Sequence, residues 1–369
     1  MRYNWQQNDW PNFQYSIYGI EELLFYYLQH AGKLEGALRS LNEMDREESI
    51  IELLIFEAIK TSEIEGEFIS RADVASSIRK QLGLVVREHS KDQRAVGIAQ
   101  VLVMARKTFD LPLSEAMLLE WHASLLAHEK TLEIGRWRTH HEPMQIISGA
   151  IGFERVHFEA PPSAILEVEM NTFIRWFNDT APYGPKAIIH APVRAAIAHL
   201  YFETIHPFED GNGRIGRAIA EKALAQTTGY PGLASLSYTI EQNKNEYYRQ
   251  LEMAQRSNEI SEWIRYFVNI VVKGLKFAQK TVDFTLLKSK YFDRYSKQLN
   301  TSQLKVIKRM FSEGPSGFEG GMTASKYSRL TRVSKATATR HLAELLQIGS
   351  LAVKGQGRST RYHLNFDEL

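Results

Sequence analysis

The chain has 369 residues, 44% of them hydrophobic, and a net charge of +2, enough for two or three globular domains. It has no cysteine, which excludes disulfides and thiolate-bound metals, and no run approaches the ~20 apolar residues that cross a bilayer. Residues 1–10 lack the apolar stretch of a signal peptide, so the sequence predicts a cytoplasmic protein without membrane partners.

The first 84 residues read as helical. Ile20, Leu23, Leu24, Tyr27 and Leu28 share a face of an early helix. Ile51, Leu54, Ile55, Ala58, Ile59 and Ser62 form a stripe on a second helix over residues 47–66, which closes on Thr61, Glu65 and Gly66. Glycine there fits a C-cap. A polar stretch over residues 87–94 marks the passage into the central region. His140, His141 and Glu142 are neighbours in sequence without a metal-ligand spacing, and they are predicted as loop. Residues 145–149 and 155–158 alternate around a glycine-containing turn, as the strands of a hairpin do.

Val193, Ala196, Ile197, Leu200 and Thr204 then run at helical period until Pro207 stops them, which puts His206 at a helix C-terminus. Residues 206–217 read His-Pro-Phe-Glu-Asp-Gly-Asn-Gly-Arg-Ile-Gly-Arg. Gly211 and Gly213 are expected to take positive φ on either side of Asn212, so that successive amides converge on an anion. Ile215, Ala218, Ile219 and Ala223 continue as a helix to Thr228, before Gly229. The loop thus opens a helix whose amides and dipole favour phosphate, with Arg214 and Arg217 adding charge from one face. Asp210 would repel phosphate unless a divalent cation bridged the two, which points to magnesium. Gly211, Gly213 and Gly216 satisfy G-x-G-x-x-G, but a helix precedes them where a dinucleotide fold needs a strand, and a Walker-type loop is absent.

Residues 206–217 resemble the Fic-family signature, H-x-F-x-[DE]-G-N-G-R-x-x-R, at every defined position. The resemblance implies transfer of AMP from ATP to a Tyr, Thr or Ser hydroxyl of a target protein, with release of pyrophosphate. It implies catalytic roles for His206 as general base and for Asn212, which with the loop amides steadies the α-phosphate. It makes Phe208 an anchor and Asp210 the ligand of Mg2+. ATP contacts follow from Gly211, Asn212, Gly213, Arg214, Ile215, Gly216 and Arg217, the two arginines holding the β- and γ-phosphates. Upstream, residues 61–66 resemble the family's inhibitory motif, [ST]-x-x-x-E-[GN], in which Glu65, followed by Gly66, pairs with Arg217 and keeps the γ-phosphate from docking. Some members with this glutamate also remove AMP. The hairpin resembles the family's flap, which lies over the site and holds a target peptide by strand pairing. Residues 135–138 resemble the start of the core, and the tryptophan-rich opening a short domain often fused to it. Within residues 238–251, Asn243, Tyr247 and Tyr248 resemble the segment lining the adenosine side, and Asn243 and Tyr248 are taken as ATP contacts. Trp263 and Phe267 read as core.

The last part differs in character. After a Pro/Gly-rich turn at residues 314–321, residues 323–330 and 334–349 read as helices and 351–364 as two strands, an order that resembles a winged helix. Residues 323–364 hold eight Lys or Arg against one acid, Glu344. That asymmetry fits DNA, with Lys335, Thr337 and Arg340 on the candidate recognition helix and Arg358 on the wing. A docking or dimerisation module, giving a homodimer, fits it equally. The sequence therefore predicts a mainly α protein: an N-terminal helical region with an inhibitory helix (1–85), a Fic catalytic core with a β-hairpin flap (86–280), and a C-terminal winged helix-turn-helix domain with linker (281–369). The expected function is a protein adenylyltransferase autoinhibited by Glu65. Two alternatives stand beside it: a DNA-binding regulator whose Fic core senses nucleotide without turnover, and a Fic transferase with another donor.

Overall fold

The computed structural model describes residues 2–86, 89–148, 155–231 and 234–367, with the side chains at 148, 316 and 358 outside the description. Arg87, the hairpin turn from Gly149 to Glu154 and the Arg358 side chain therefore lie outside the described residues. Helices dominate, as the periodicity predicts. They are α1 (Glu21–Ser40), α2 (Glu43–Ile64), α3 (Arg71–Gln81), α4 (Gln93–Lys107), α5 (Glu115–Leu125), α6 (Leu166–Asp179), α7 (Ala191–Ile205), α8 (Asn212–Thr228), α9 (Leu236–Glu241), α10 (Lys244–Ala254), α11 (Ser261–Tyr295), α12 (Thr301–Phe311), α13 (Ala324–Thr331) and α14 (Lys335–Gln347). Among the described residues the strands form two antiparallel hairpins, β1 (Gln145–Ser148) with β2 (Arg155–Glu159), and β3 (Leu351–Lys354) with β4 (Arg361–Leu364). Among them, too, no helix is long and apolar enough to cross a membrane.

Two compact units result. The first comprises Met1–Glu35 and Ile50–Ala278, the second Gly36–Ser49 and Gln279–Leu369. At the centre of the first lies α7, buried along its whole length from Ala191 to Ile205. Its residues are mostly apolar, and polar groups buried on it find partners inside, as Arg194 does at the Phe177 carbonyl (2.8 Å) and His199 at the Tyr247 hydroxyl (2.7 Å). Pro192 sits in its first turn, where a missing amide hydrogen costs nothing. Alanines on α7 (Ala195, Ala196, Ala198) and on α8 (Ala218, Ala220, Ala223) are all buried, and small side chains let the two backbones approach. Trp263 and Phe267 of α11 are buried against this pair, and the Trp263 indole donates to the Ala196 carbonyl at 2.8 Å. Ile20, just before α1, and Leu24, Tyr27 and Leu34 on it are buried while Leu28 is exposed, because the buried stripe steps by three and four residues and Leu28 lies beside it.

The second unit has an aromatic core. Tyr291 and Tyr295 of α11 pack with Ile307 and Phe311 of α12, Tyr327 of α13, Leu342 and Leu345 of α14, and Leu351 of β3. Ser334 caps α14 by accepting the Thr337 amide hydrogen, and Arg332 turns the chain between α13 and α14 with φ +59°.

Candidate active site

The chain leaves α7 at His206, which takes a left-handed conformation (φ +50°) and so turns the backbone out of the helix. Arg138 fixes this turn. Its side chain is buried and donates to the carbonyls of His206 (2.9 Å) and Pro161 (2.5 Å) and to the Ser163 hydroxyl (2.9 Å). Phe208 is fully buried, stacked on the His122 ring at 4.0 Å between centroids. The Asn212 amide group closes the loop on itself: Nδ2 donates to the Phe208 carbonyl (2.8 Å), and the Phe208 amide donates to Oδ1 (3.0 Å). Gly211 then enters α8 with φ +82°, a value that suits glycine. Gly213 differs from the expectation of positive φ. It is already helical, and its missing Cβ has another use, since a Cβ there would collide with the Glu65 carboxylate.

The first-turn amides of α8 have no intrahelical acceptor and, with the helix dipole, make this end of α8 attractive to anions. Carboxylates answer that attraction. Arg217, 2% exposed, donates from Nη2 to Glu65 Oε1 at 2.7 Å and to the Thr61 carbonyl at 3.0 Å, and from Nε to the Thr61 hydroxyl at 2.8 Å. Burial disfavours the Arg217 charge, but Glu65, with Tyr247 and Tyr248 adding to it, holds the guanidinium above its ordinary pKa. Arg214, 3% exposed, donates to Glu67 Oε1 at 2.8 Å and lies 3.5 Å from Asp210 Oδ1. Asp210 is half exposed and accepts the Gly211 amide hydrogen at 2.5 Å. Burial pushes the His206 imidazole down to about 4, with Arg138 adding to the effect, so the ring is neutral at pH 7. Glu203, one turn earlier on α7, lies 3.8 Å from His206 Nδ1, and burial pushes its carboxyl up to about 8.

Glu65, Glu203, His206, Gly213 and Arg217 line one cleft of about 800 Å³, whereas Asp210, Asn212, Arg214 and Glu67 are not among its lining residues. Ile146, Ile147, His157 and Phe158 of the hairpin line it from another side, and Tyr247 and Tyr248 of α10 from a third. Glu252 of α10 ties the hairpin down through His157 Nδ1 (3.0 Å) and Arg155 (3.2 Å). Tyr248 donates to the Ile64 carbonyl at 3.3 Å, joining α10 to the end of α2. Asn243 is exposed one residue before α10 and is not among the cleft-lining residues, whereas Asn245 is.

Residues 112–224 match the model of the Fic/DOC family. They are a Fic domain. Residues 3–84 match a second model, described as a domain of unknown function, DUF4172. A protein adenylyltransferase Fic of Nematostella vectensis is 25% identical over 224 residues, 60% of this chain and 46% of that protein. Its counterpart in Drosophila yakuba is 26% identical over 216 residues, 58% and 39% of the two chains. The match thus spans less than half the length of these relatives. The crystal structure of a Fic family protein from Desulfovibrio desulfuricans G20 shares the fold over 96% of this chain and 98% of its own, with 20% identity and a TM-score of 0.54.

Around the Fic loop the sequence had left three residues without a role in the site. Arg138 lay in a segment read only as the start of the core, Glu203 on a helix read for its apolar face, and Glu67 just past a motif ending at Gly66. A buried arginine and a buried glutamate carry no signal in apolar periodicity, which registers only the residues that need no partner. Glu67 had one local signal, a second carboxylate two residues beyond Glu65 across a glycine.

Proposed function

We propose that the chain transfers AMP from ATP to a Ser, Thr or Tyr hydroxyl of a target protein, and that Glu65 holds this activity in check. One observation carries the reading: His206, Arg217 and Glu65 line a single cleft together with residues of a β-hairpin. The relatives named protein adenylyltransferase Fic support it at the level of the family.

In the proposed reaction the target's hydroxyl oxygen bonds to the α-phosphorus of ATP. The bond from that phosphorus to the bridging oxygen of the β-phosphate breaks, and pyrophosphate leaves. The hydroxyl proton passes to His206, which burial keeps neutral and therefore able to accept it. A bound triphosphate places negative charge near the imidazole and raises its basicity above the resting value. The amides at the start of α8 hold the α-phosphate, while Arg214 and Arg217 receive the polyphosphate. Among the described residues no group of three or more histidines or carboxylates is placed to hold a metal, but magnesium commonly takes one carboxylate and completes its shell with phosphates and water. Asp210, half exposed beside the helix end, fits that role. The ion, when bound, would neutralise phosphate charge. Glu65 on Arg217 denies the γ-phosphate its partner, so ATP binds with its α-phosphate out of line for attack. The same carboxylate, close to the loop, could activate water for removal of AMP. Hairpin strands over the cleft offer main-chain pairing to a target segment.

ATP labelled on the α- or the γ-phosphate tests the reaction type. With magnesium and the Glu65→Gly variant, the α-label is expected on protein and the γ-label is not. Protein-bound γ-label would mean phosphoryl transfer, and no bound label from either would favour a nucleotide sensor.

A second reading concerns the C-terminal unit alone. Lys335, Ala336, Thr339, Arg340 and Ala343 of α14 are exposed, and with Arg329, Arg332 and Lys354 they make a basic surface with small side chains along the helix. A slim helix with flanking cations fits the major groove of duplex DNA and its phosphates.

A further inference from the structure

Glu67 occupies Arg214 much as Glu65 occupies Arg217. Helix α2 ends in a Schellman turn: the Glu67 amide donates to the Ser62 carbonyl (2.9 Å) and the Gly66 amide to the Glu63 carbonyl (3.1 Å), with Gly66 at φ +82°. That turn fixes the two carboxylates relative to each other, two residues apart on either side of the glycine. Their partners, Arg214 and Arg217, are one turn apart on α8. The ion pairs are 2.8 Å and 2.7 Å long, and both guanidinium groups are buried. The C-cap glycine and the inhibitory glutamate are thus parts of one device, since Gly66 shapes the turn that presents both acids.

We propose that Glu67 is a second inhibitory carboxylate, and that Glu65 and Glu67 together stand in for two phosphates of ATP at the start of α8. The proposal rests on the adenylyltransferase reading and names a further element of its control. Arg214 is held mainly by Glu67 at 2.8 Å; Asp210 is 3.5 Å away, and among the described residues the Arg214 Nε has no hydrogen-bond partner. A buried guanidinium in that position binds whichever anion reaches it, so a polyphosphate must displace Glu67 to use it. Glu67 can leave. Its side chain is 23% exposed to solvent, and Arg94, which pairs with Asp92 at 2.8 Å, lies within electrostatic reach. Removing Glu65 alone therefore frees Arg217 and leaves the Arg214 position plugged.

Calorimetric titration of MgATP and of AMP into the full chain tests this, using the parent, Glu65→Gly, Glu67→Ala and the double variant, with Glu67→Asp as the conservative control. Glu67→Ala should tighten MgATP about tenfold in both backgrounds, the effect of one charge-assisted hydrogen bond. AMP affinity should not change, because AMP has no β- or γ-phosphate to reach Arg214, and Glu67→Asp should stay near the parent. Thermal unfolding identifies any variant that fails to fold. Unchanged MgATP affinity in both backgrounds, or equal tightening of AMP, would overturn the proposal. Titration needs no turnover, so a Glu65→Gly variant that transfers nothing would refute the adenylyltransferase reading without deciding the role of Glu67.

Discussion

Arg214 and Arg217 are 3% and 2% exposed, and each meets a carboxylate within 2.8 Å, whereas Arg332, Lys335 and Arg340 of the C-terminal unit stand in solvent. Even the ion pair that Arg340 makes with Glu344 is 3.7 Å long and open to water. The two stretches are both rich in cations, yet their chemistry diverges. Buried cations with fixed partners hold one small anion in one geometry, and they can be kept occupied until that anion arrives. Exposed cations form a field that a long polyanion can meet at many points and that salt screens. Charge count alone does not separate these cases. Burial does.

Substitutions in the loop should have the larger effects. In the Glu65→Gly background, His206→Ala should lower AMP transfer by about 10²–10⁴-fold while MgATP still binds in a titration, because other groups make the phosphate cradle. Equal loss of binding and folding would demote His206 to a structural residue. Asp210→Ala should reduce magnesium-dependent transfer by about 10²-fold, read as the slope of activity against magnesium concentration, with little change in thermal stability. If turnover is unaltered, Asp210 holds no ion.

The pH profile gives a subtler effect. Burial lowers the His206 pKa to about 4, so the base is available above that value and is lost only as pH falls through it. The acid limb of kcat/KM should therefore lie below the ordinary histidine value of about 6.5. An acid limb at or above that value would mean that another group titrates. Single changes on the exposed stretch should have the smallest effects. Lys335→Ala or Arg340→Ala should weaken duplex DNA binding by the full chain a few-fold, irrespective of sequence, and reduce the salt slope by about one unit. Absence of binding at low salt would return α14 to a docking role and remove one side of the comparison.

Much of this was legible in the sequence, and for a physical reason. The helix to His206, the loop glycines and the helix to Thr228 are local features, set by apolar period, proline and φ, and the structure places α7 and α8 there. The order of elements over residues 323–364 was legible for the same reason, and α13, α14, β3 and β4 follow it. Glu65 and Arg217 could be paired only through a family motif, since 152 positions separate them. What escaped was contact between polar groups from distant elements. Arg138 reaches the carbonyl of a residue 68 positions on, and Glu67 an arginine 147 positions on. The left-handed conformation expected at Gly213 does not occur, because a glycine can serve a close approach as well as a turn.

The central claim is that the carboxylate of Glu65, one residue past α2, occupies the guanidinium that the γ-phosphate needs. The direct measurement is the rate at which α-labelled ATP marks protein, compared between the parent and Glu65→Gly under the same magnesium and ATP concentrations. The account predicts a rise of at least about tenfold in Glu65→Gly, abolished when His206→Ala is added. A Glu65→Gly variant that folds, binds MgATP and marks protein no faster than the parent would contradict it.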